Sequence, residues 1–230
     1  MFKIFINAYL LILLVNPCNA QTTIHDIDGN IYRTVLIGNI EWMAENLRTT
    51  KYKDGTSIPN IVDAKEWLSL KTGAYCFYNN DSSNALGFGA LYNWYAVNTG
   101  NLCPDGWRVP SDDDWKYLEG FVDSNYGIGD SIWNGKMSRG FDVGIKLKST
   151  QGWKDNGNGT NVFGFSALPT GERVSKGKFF LINQNGFWWS STPYGSFRAW
   201  YRCLYFCGEK MYRETHPNFM GFSVRCIRDK

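Results

Sequence analysis

Six cysteines, two histidines and a surplus of aromatic rings are the side chains of this 230-residue chain with chemistry to offer. Cys203 and Cys207 fall in Tyr201-Arg202-Cys203-Leu204-Tyr205-Phe206-Cys207. In a regular strand, residues four apart share a face but lie about 13 Å apart at ~3.3 Å per residue. A disulfide needs Cα atoms within about 7 Å. The two pair only if the strand breaks, which Gly208 permits. Cys76 is an alternative partner for either, and isolated buried thiols are the plainest reading. The loop Asp155-Asn156-Gly157-Asn158-Gly159-Thr160-Asn161 is rich in oxygen atoms and glycines. Calcium takes oxygen ligands from flexible loops, so Asp155, Asn156 and Asn158 are candidate calcium ligands. With a single carboxylate, ordinary Asn-Gly turn chemistry is the plainer account. His25 and His216 read as solvated loop residues, His216 in a hairpin turn, and their spacing makes no Ser/His/Asp or Cys/His arrangement. Trp188 and Trp189 are adjacent, so in a strand they face opposite sides, and at least one is expected to point away from the core. Exposed aromatics on a loop-bearing β scaffold stack on sugar rings or anchor protein interfaces. Trp188, Trp189, Tyr194 and Trp200 are therefore candidate ligand-binding residues, with packing against a helical layer as the alternative.

The element best placed to organise these groups is a helix beginning at Ser111. Ser111 is a good N-cap, and Asp112, Asp113 and Asp114 fill the first turn, where unpaired N–H groups and the helix dipole favour negative charge. That placement explains the three carboxylates better than acid–base chemistry does. Trp115, Leu118, Phe121 and Val122 then share one face at helical spacing. Upstream, residues 24–42 alternate as a hairpin around Gly38-Asn39. Asp63 can cap a short helix over 64–70, a short strand covers 74–78, and 91–97 reads as helical. Residues 124–144 read as an irregular excursion. From Phe163 onward the pattern is β: 163–168, 178–182, 186–191, 199–206, 210–212 and 219–227, with turn residues between.

Residues 1–20 carry Lys3, an apolar run from Ile4 to Val15 and small residues at Cys18-Asn19-Ala20, the pattern of a signal peptide cleaved before Gln21. The run is too short for a comfortable membrane span. An uncleaved anchor and a lipid anchor at Cys18 are the alternatives, and Pro17 argues against the second. Residues 21–230 then form one domain without internal repeats. Without Lys3 the balance is 23 basic to 21 acidic residues with no basic block, which makes nucleic acid a poor partner. Export exposes the remaining five cysteines to an oxidising space, and an odd count leaves at least one thiol free or paired outside the chain.

The ordered blocks Trp42-Met43-Ala44-Glu45-Asn46-Leu47, Leu91-Tyr92-Asn93-Trp94, Cys103-Pro104-Asp105-Gly106-Trp107-Arg108-Val109-Pro110-Ser111, Phe163-Gly164-Phe165-Ser166-Ala167-Leu168-Pro169, Trp188-Trp189-Ser190-Ser191 and Gly221-Phe222-Ser223-Val224-Arg225-Cys226 cover nearly the whole mature chain. Together they resemble the Fibrobacter succinogenes major paralogous (FISUMP) domain, found in exported proteins of Bacteroidetes and related bacteria. The resemblance implies an α+β fold of C-type-lectin-like kind, related to the formylglycine-generating enzyme: short helices packed on small twisted, mostly antiparallel sheets, with long irregular loops. It implies no reaction, since fold does not fix function. It also points to a bridge between Cys103, before the main helix, and Cys226, in the last strand. Two buried thiols are the alternative. The formylglycine-generating enzymes hold copper on two cysteines, which makes a copper-dependent oxidase using Cys203 and Cys207 the enzymatic alternative. Here the spacing is one residue shorter than in those enzymes, and their other site residues are not matched. The expectation is thus an exported protein, secreted, periplasmic or at the cell surface, with a binding or structural role. Its ligand would be a polysaccharide or a protein, and calcium is the one metal its loops suggest.

Overall fold

The structure, a computed structural model, describes residues 22–229. The expected leader, residues 1–20, and Cys18 with it lie outside the described residues. The first hairpin forms where its turn residues stand. β1 (Thr23–His25) runs beside β2 (Ile31–Ile37), which turns at Gly38-Asn39 into β3 (Ile40–Met43). Ile37 faces Ile40 across the turn, and Gly38 takes a φ of +63°, the left-handed conformation that a two-residue turn demands. Asp63 caps α1 (Ala64–Ser69), accepting from the Glu66 N–H at 2.8 Å. β4 (Tyr75–Cys76), α2 (Asn84–Phe88), β5 (Leu91–Tyr92), α3 (Trp94–Val97) and β6 (Trp107–Arg108) are short. α4 (Asp112–Val122) opens with a capping box: Ser111 Oγ accepts from the Asp114 N–H, and Asp114 accepts from the Ser111 N–H at 2.8 Å. β7 (Met137–Arg139), α5 (Val143–Leu147), β8 (Thr170–Arg173), β9 (Phe179–Ile182), β10 (Asn185–Tyr194), β11 (Arg198–Tyr205), β12 (Met211–Pro217) and β13 (Ile227–Arg228) complete the chain.

The fold is α+β, mostly sheet with a few short helices. One sheet has the order β1-β2-β3-β13-β6, a second β7-β12-β11-β10-β8-β9, and β4 pairs with β5. The ladders are antiparallel except where β8 meets β10. Cys103 and Cys226 are joined by a disulfide, tying the segment before α4 to the end of the chain across 123 residues. Cys226 precedes β13, and its carbonyl accepts from the Met43 N–H at 2.9 Å.

The six-stranded sheet is an inner layer. On one face Phe187, Trp189 and Cys203 join a cluster with Tyr92, Trp94 and Phe222. On the other, Trp188, Leu204 and Met211 join Trp42, Trp115 and Phe165. Trp188 and Trp189 are therefore both at 0% exposure, which corrects the expectation that one of them leaves the core. They do face opposite ways, but each face has its own cover.

Several expected elements differ for identifiable reasons. Residues 91–97 divide into β5 and the single turn α3, because extended Asn93 caps that turn by accepting from the Ala96 N–H. Residues 163–168 form a loop in which Gly164 and Ser166 are left-handed, with one bridge between Lys148 and Ala167. Residues 219–226 carry bridges to Tyr92, Arg173 and Trp188 in place of a continuous ladder. The excursion over 124–144 contains β7, which pairs with β12. β12 continues to Pro217, so His216 lies in a strand, half-buried, not in a solvated turn. On α4, Trp115, Leu118 and Val122 are buried, but Phe121 is 41% exposed.

Candidate functional site

Among the buried arginines, two systems lie next to the candidate residues, apart from Arg173, which donates to the carbonyls of residues 61–63. Asp112 and Glu119 project from α4 onto β11, β12 and β7. Arg202 donates to Asp112 at 2.7 Å and to Glu119 at 2.5 Å, Arg213 donates to Asp112 at 2.7 Å, and Arg139 donates to Glu119 at 2.5 Å. Burial alone would raise the Asp112 carboxyl, but the hydrogen bonds and charges of Arg213 and Arg202 outweigh it and hold the group well below the usual carboxylate range. Asp112 is thus more than a dipole partner in the first turn. The second system centres on Arg225, which has 0% exposure. It donates to Asn46 Oδ1 at 2.9 Å, to the Ser166 carbonyl at 2.8 Å and to the Phe165 carbonyl. Trp188 Nε1 donates to the same Asn46 oxygen at 2.9 Å.

The first system carries an aromatic tip. Between Trp189 and Pro193 the β10–β11 register shifts, a bulge that re-aims the end of the hairpin. Beyond it Tyr194 meets Trp200 edge-on, with centroids 5.0 Å apart. The Arg213 guanidinium lies 3.4 Å over the Trp200 ring, so the buried Asp112 pair also positions this aromatic. Lys136 Nζ lies 4.7 Å from the Tyr194 centroid and 5.3 Å from that of Trp200, and it pairs with Glu214 at 3.1 Å. Tyr194 is 45% exposed, and Phe197 in the turn is 74% exposed. Of the four aromatics expected to bind ligand, Tyr194 and Trp200 meet at this tip, whereas Trp188 and Trp189 are scaffold. Phe197 and Lys136 were not expected. An aromatic in a Gly195-Ser196-Phe197 turn was the available signal for the first. Lys136 is brought in only by β7 pairing.

The remaining candidates are dispersed. Cys76, Cys203 and Cys207 are free, so neither pairing with Cys76 is formed. Burial raises the Cys76 thiol to about 11, against the opposing charge of Arg173. Burial, then the neighbouring Glu172 charge, holds Cys203 well above the ordinary thiol range. Cys203 points into the core while Cys207 is exposed, so the two are not presented to one open site. In the polar loop Asp155 and Asn156 are left-handed, and Asn158 Oδ1 accepts from the Trp153 N–H at 3.0 Å. A Cβ on Gly157 would stand 2.1 Å from the Phe206 carbonyl oxygen, and one on Gly159 2.3 Å from that of Ile145. The loop's glycines thus serve close backbone approach. Among the described residues no group of three or more His, Cys, Asp or Glu side chains converges on one point. His25 is exposed in β1. Burial and the Arg198 charge lower His216 to about 4, so it is neutral at physiological pH.

Residues 35–228 match the family model described as the Fibrobacter succinogenes major domain. The chain belongs to that family. No curated protein and no solved structure is significantly similar to it. In this Fibrobacter succinogenes major domain the spaced sequence blocks converge in space. Asn46, Ser166, Trp188 and Arg225 come from four separate blocks and meet at one buried node. Those blocks encode the framework, and the aromatic tip from Tyr194 to Trp200 lies outside them.

Proposed function

We propose that this domain is an exported binding protein, secreted or held at the cell surface, that docks a partner protein through the β10–β11 tip. No reaction is assigned to it. Short helices on small twisted sheets, long loops and a disulfide from before α4 to the chain end support reading the scaffold as C-type-lectin-like.

The observation that carries the reading is Phe197, 74% exposed beside the Tyr194–Trp200 pair. The fold gains nothing from a phenyl ring left in water at a turn. Aromatic, Met and Arg side chains are what protein interfaces concentrate at their anchors, and Met137, 55% exposed, and exposed Arg198 complete that set. A sugar would need a free ring face. Arg213 already covers one face of Trp200, which favours protein over polysaccharide.

The test measures binding of the mature protein, from Gln21 onward, to the surface of the producing cells, with and without protease or periodate treatment. Saturable, protease-sensitive binding weakened at least about tenfold by Phe197→Ala supports the proposal. Periodate-sensitive binding would replace protein by polysaccharide as the ligand. A folded protein that binds neither treated nor untreated cells overturns the proposal.

A further inference from the structure

A second surface lies toward the opposite end of the β10–β11 ladder and uses none of the tip's residues. Register sets a row across it. Glu172 on β8 stands opposite Phe180 of β9, and β8 meets β10 at Gly171 and Gly186. One residue along β10, Phe187 pairs with Cys203, and Cys203 pairs with Tyr212 of β12. Tyr201 and Tyr205 flank Cys203 on the same face of β11. Phe222 covers Phe187, Trp189 and Tyr201, with ring centroids 4.4 to 5.1 Å away. That cover then ends. Val174, Leu181, Tyr205 and Tyr212 pack against the same cluster but stay half-buried. Tyr205 meets Tyr212 edge-on at 5.6 Å, so the two rings do not stack on each other.

Glu172 is the unmet group on this face. It is 8% exposed, and its Oε2 has no hydrogen-bond partner among the described residues. Asp112 and Glu119, the buried carboxylates of α4, each meet two arginines. Glu172 meets no arginine or lysine among the described residues, because its neighbour Arg173 turns away to the carbonyls of residues 61–63. Burial first, with the Glu172 charge among the further causes, raises Cys203, Tyr201 and Tyr205, which places all three within its reach. A buried polar group left without partners is costly, so an unpaired carboxyl at the edge of a half-open face marks a place where a partner from outside would be favoured.

The chemistry of that partner follows from what the face lacks. Around Glu172 stand phenols, a thiol, the Asn185 amide and apolar side chains. An anion is repelled by the carboxylate. A neutral hydroxyl or amide can donate to it but leaves its charge unbalanced. A primary ammonium group supplies N–H donors and the opposite charge together, and tyrosine rings attract cations. We propose that Glu172, with Tyr205 and Tyr212, forms a site for a primary alkylammonium group, the end of a lysine side chain or of a small free amine. The carboxylate accepts from the ammonium, the tyrosine rings line it, and Val174 and Leu181 take the alkyl stem.

Such a site depends on pH through one group. Burial pushes the Glu172 carboxyl up to about 7. Burial and the Arg198 charge lower His216 to about 4. Burial raises the phenols of Tyr78, Tyr201, Tyr205 and Tyr212 and the Cys203 thiol. Burial would raise Glu214 too, but the Thr215 N–H and Lys136 hold it below the ordinary range. Across neutral pH Glu172 is therefore the group on this face that changes charge. Only its ionised form takes the cation, so apparent affinity follows the ionised fraction.

Backbone-amide chemical-shift titration of the mature protein tests this with three probes: n-butylammonium, Nα-acetyl-lysine N-methylamide and the uncharged Nε-acetylated form of the latter. At least one amine is expected to bind at about pH 8, at least about tenfold more weakly at about pH 5.5, while the acetylated form does not bind. Equal affinity for the two amines would show that the site admits a lysine side chain; binding of n-butylammonium alone would identify a free amine as the ligand. Glu172→Gln keeps the shape of the side chain, so the fold survives, and it is expected to weaken binding at least about tenfold. Tyr205→Leu, at a half-buried position, keeps an apolar side chain and is expected to weaken binding at least about threefold. Equal binding of the acetylated form, affinity unchanged by Glu172→Gln, or no amine binding by the folded protein overturns the inference.

Discussion

Glu172 occupies an environment that its local sequence does not announce. It lies on β8 with 8% exposure, and its Oε2 has no hydrogen-bond partner among the described residues. Burial pushes its carboxyl from 4.5 up to about 7. The folded state therefore holds a proton that the unfolded chain has released between those two values. Its contribution to stability is full below pH 4.5 and falls as pH rises to about 7. The loss is about 3 kcal/mol. His216 works in the opposite sense over a lower window, because its folded value is depressed from 6.5 to about 4. The informative quantity is thus the difference between wild type and Glu172→Gln. Urea denaturation at pH 5 and pH 8 is expected to show the wild type losing stability relative to the variant by about that amount. A pH-independent difference would mean that Glu172 is ionised throughout. Nothing in Thr170-Gly171-Glu172-Arg173 announces this behaviour. It arises because β8 is placed beside β10 and its face is covered.

At the scale of elements, α4 shows how far local rules reach. Its start was legible to the residue: Ser111 caps it and Asp114 completes the box. Its buried face was legible in Trp115, Leu118 and Val122 but not in Phe121, which lies at the margin of the stripe. Gly120 shows what helical spacing leaves out. Glycine inside a helix ordinarily costs about 1 kcal/mol relative to alanine. A Cβ at Gly120 would stand 2.7 Å from Ile128 Cα and 2.8 Å from the Gly127 carbonyl oxygen, both backbone atoms. Gly120→Ala is therefore expected to destabilise by about 1–3 kcal/mol, because overpacking exceeds the gain in helix propensity. Thermal melts will check the sign; a stabilised variant would mean that the 127–128 segment yields freely.

For the whole molecule, the Cys103–Cys226 bridge governs the stability of the closed chain. It spans 123 residues. In the chain-entropy model such a loop contributes about 4–5 kcal/mol by restricting the unfolded state. The double substitution Cys103→Ala with Cys226→Ala is expected to lower unfolding free energy by up to about that amount while leaving the three free thiols unpaired. Denaturation midpoints and thiol counting measure both parts. A variant as stable as the wild type would show that the β3–β13–β6 ladder and the Arg225 node already hold the chain end in place.

What the sequence determined by itself was local or cumulative. The Gly38-Asn39 turn, the capped start of α4, the alternation in β10 and β11 and the family, read from many spaced blocks, all rest on neighbouring residues or on ordered motifs. Tyr194 and Trp200 were legible as candidates only as part of the surplus of aromatics on a loop-bearing β scaffold, on the same ground as Trp188 and Trp189. Tertiary structure alone decided which faces are covered. Periodicity tells that Trp188 and Trp189 point opposite ways, but not that the sheet is an inner layer burying both. The same limit applies to Asp112, whose partners Arg202 and Arg213 lie about a hundred positions away, and to Arg225, whose partners Asn46, Phe165 and Ser166 come from two distant segments. Side-chain direction follows from backbone geometry within a few residues. Burial depends on a second layer, and that layer comes from distant parts of the chain.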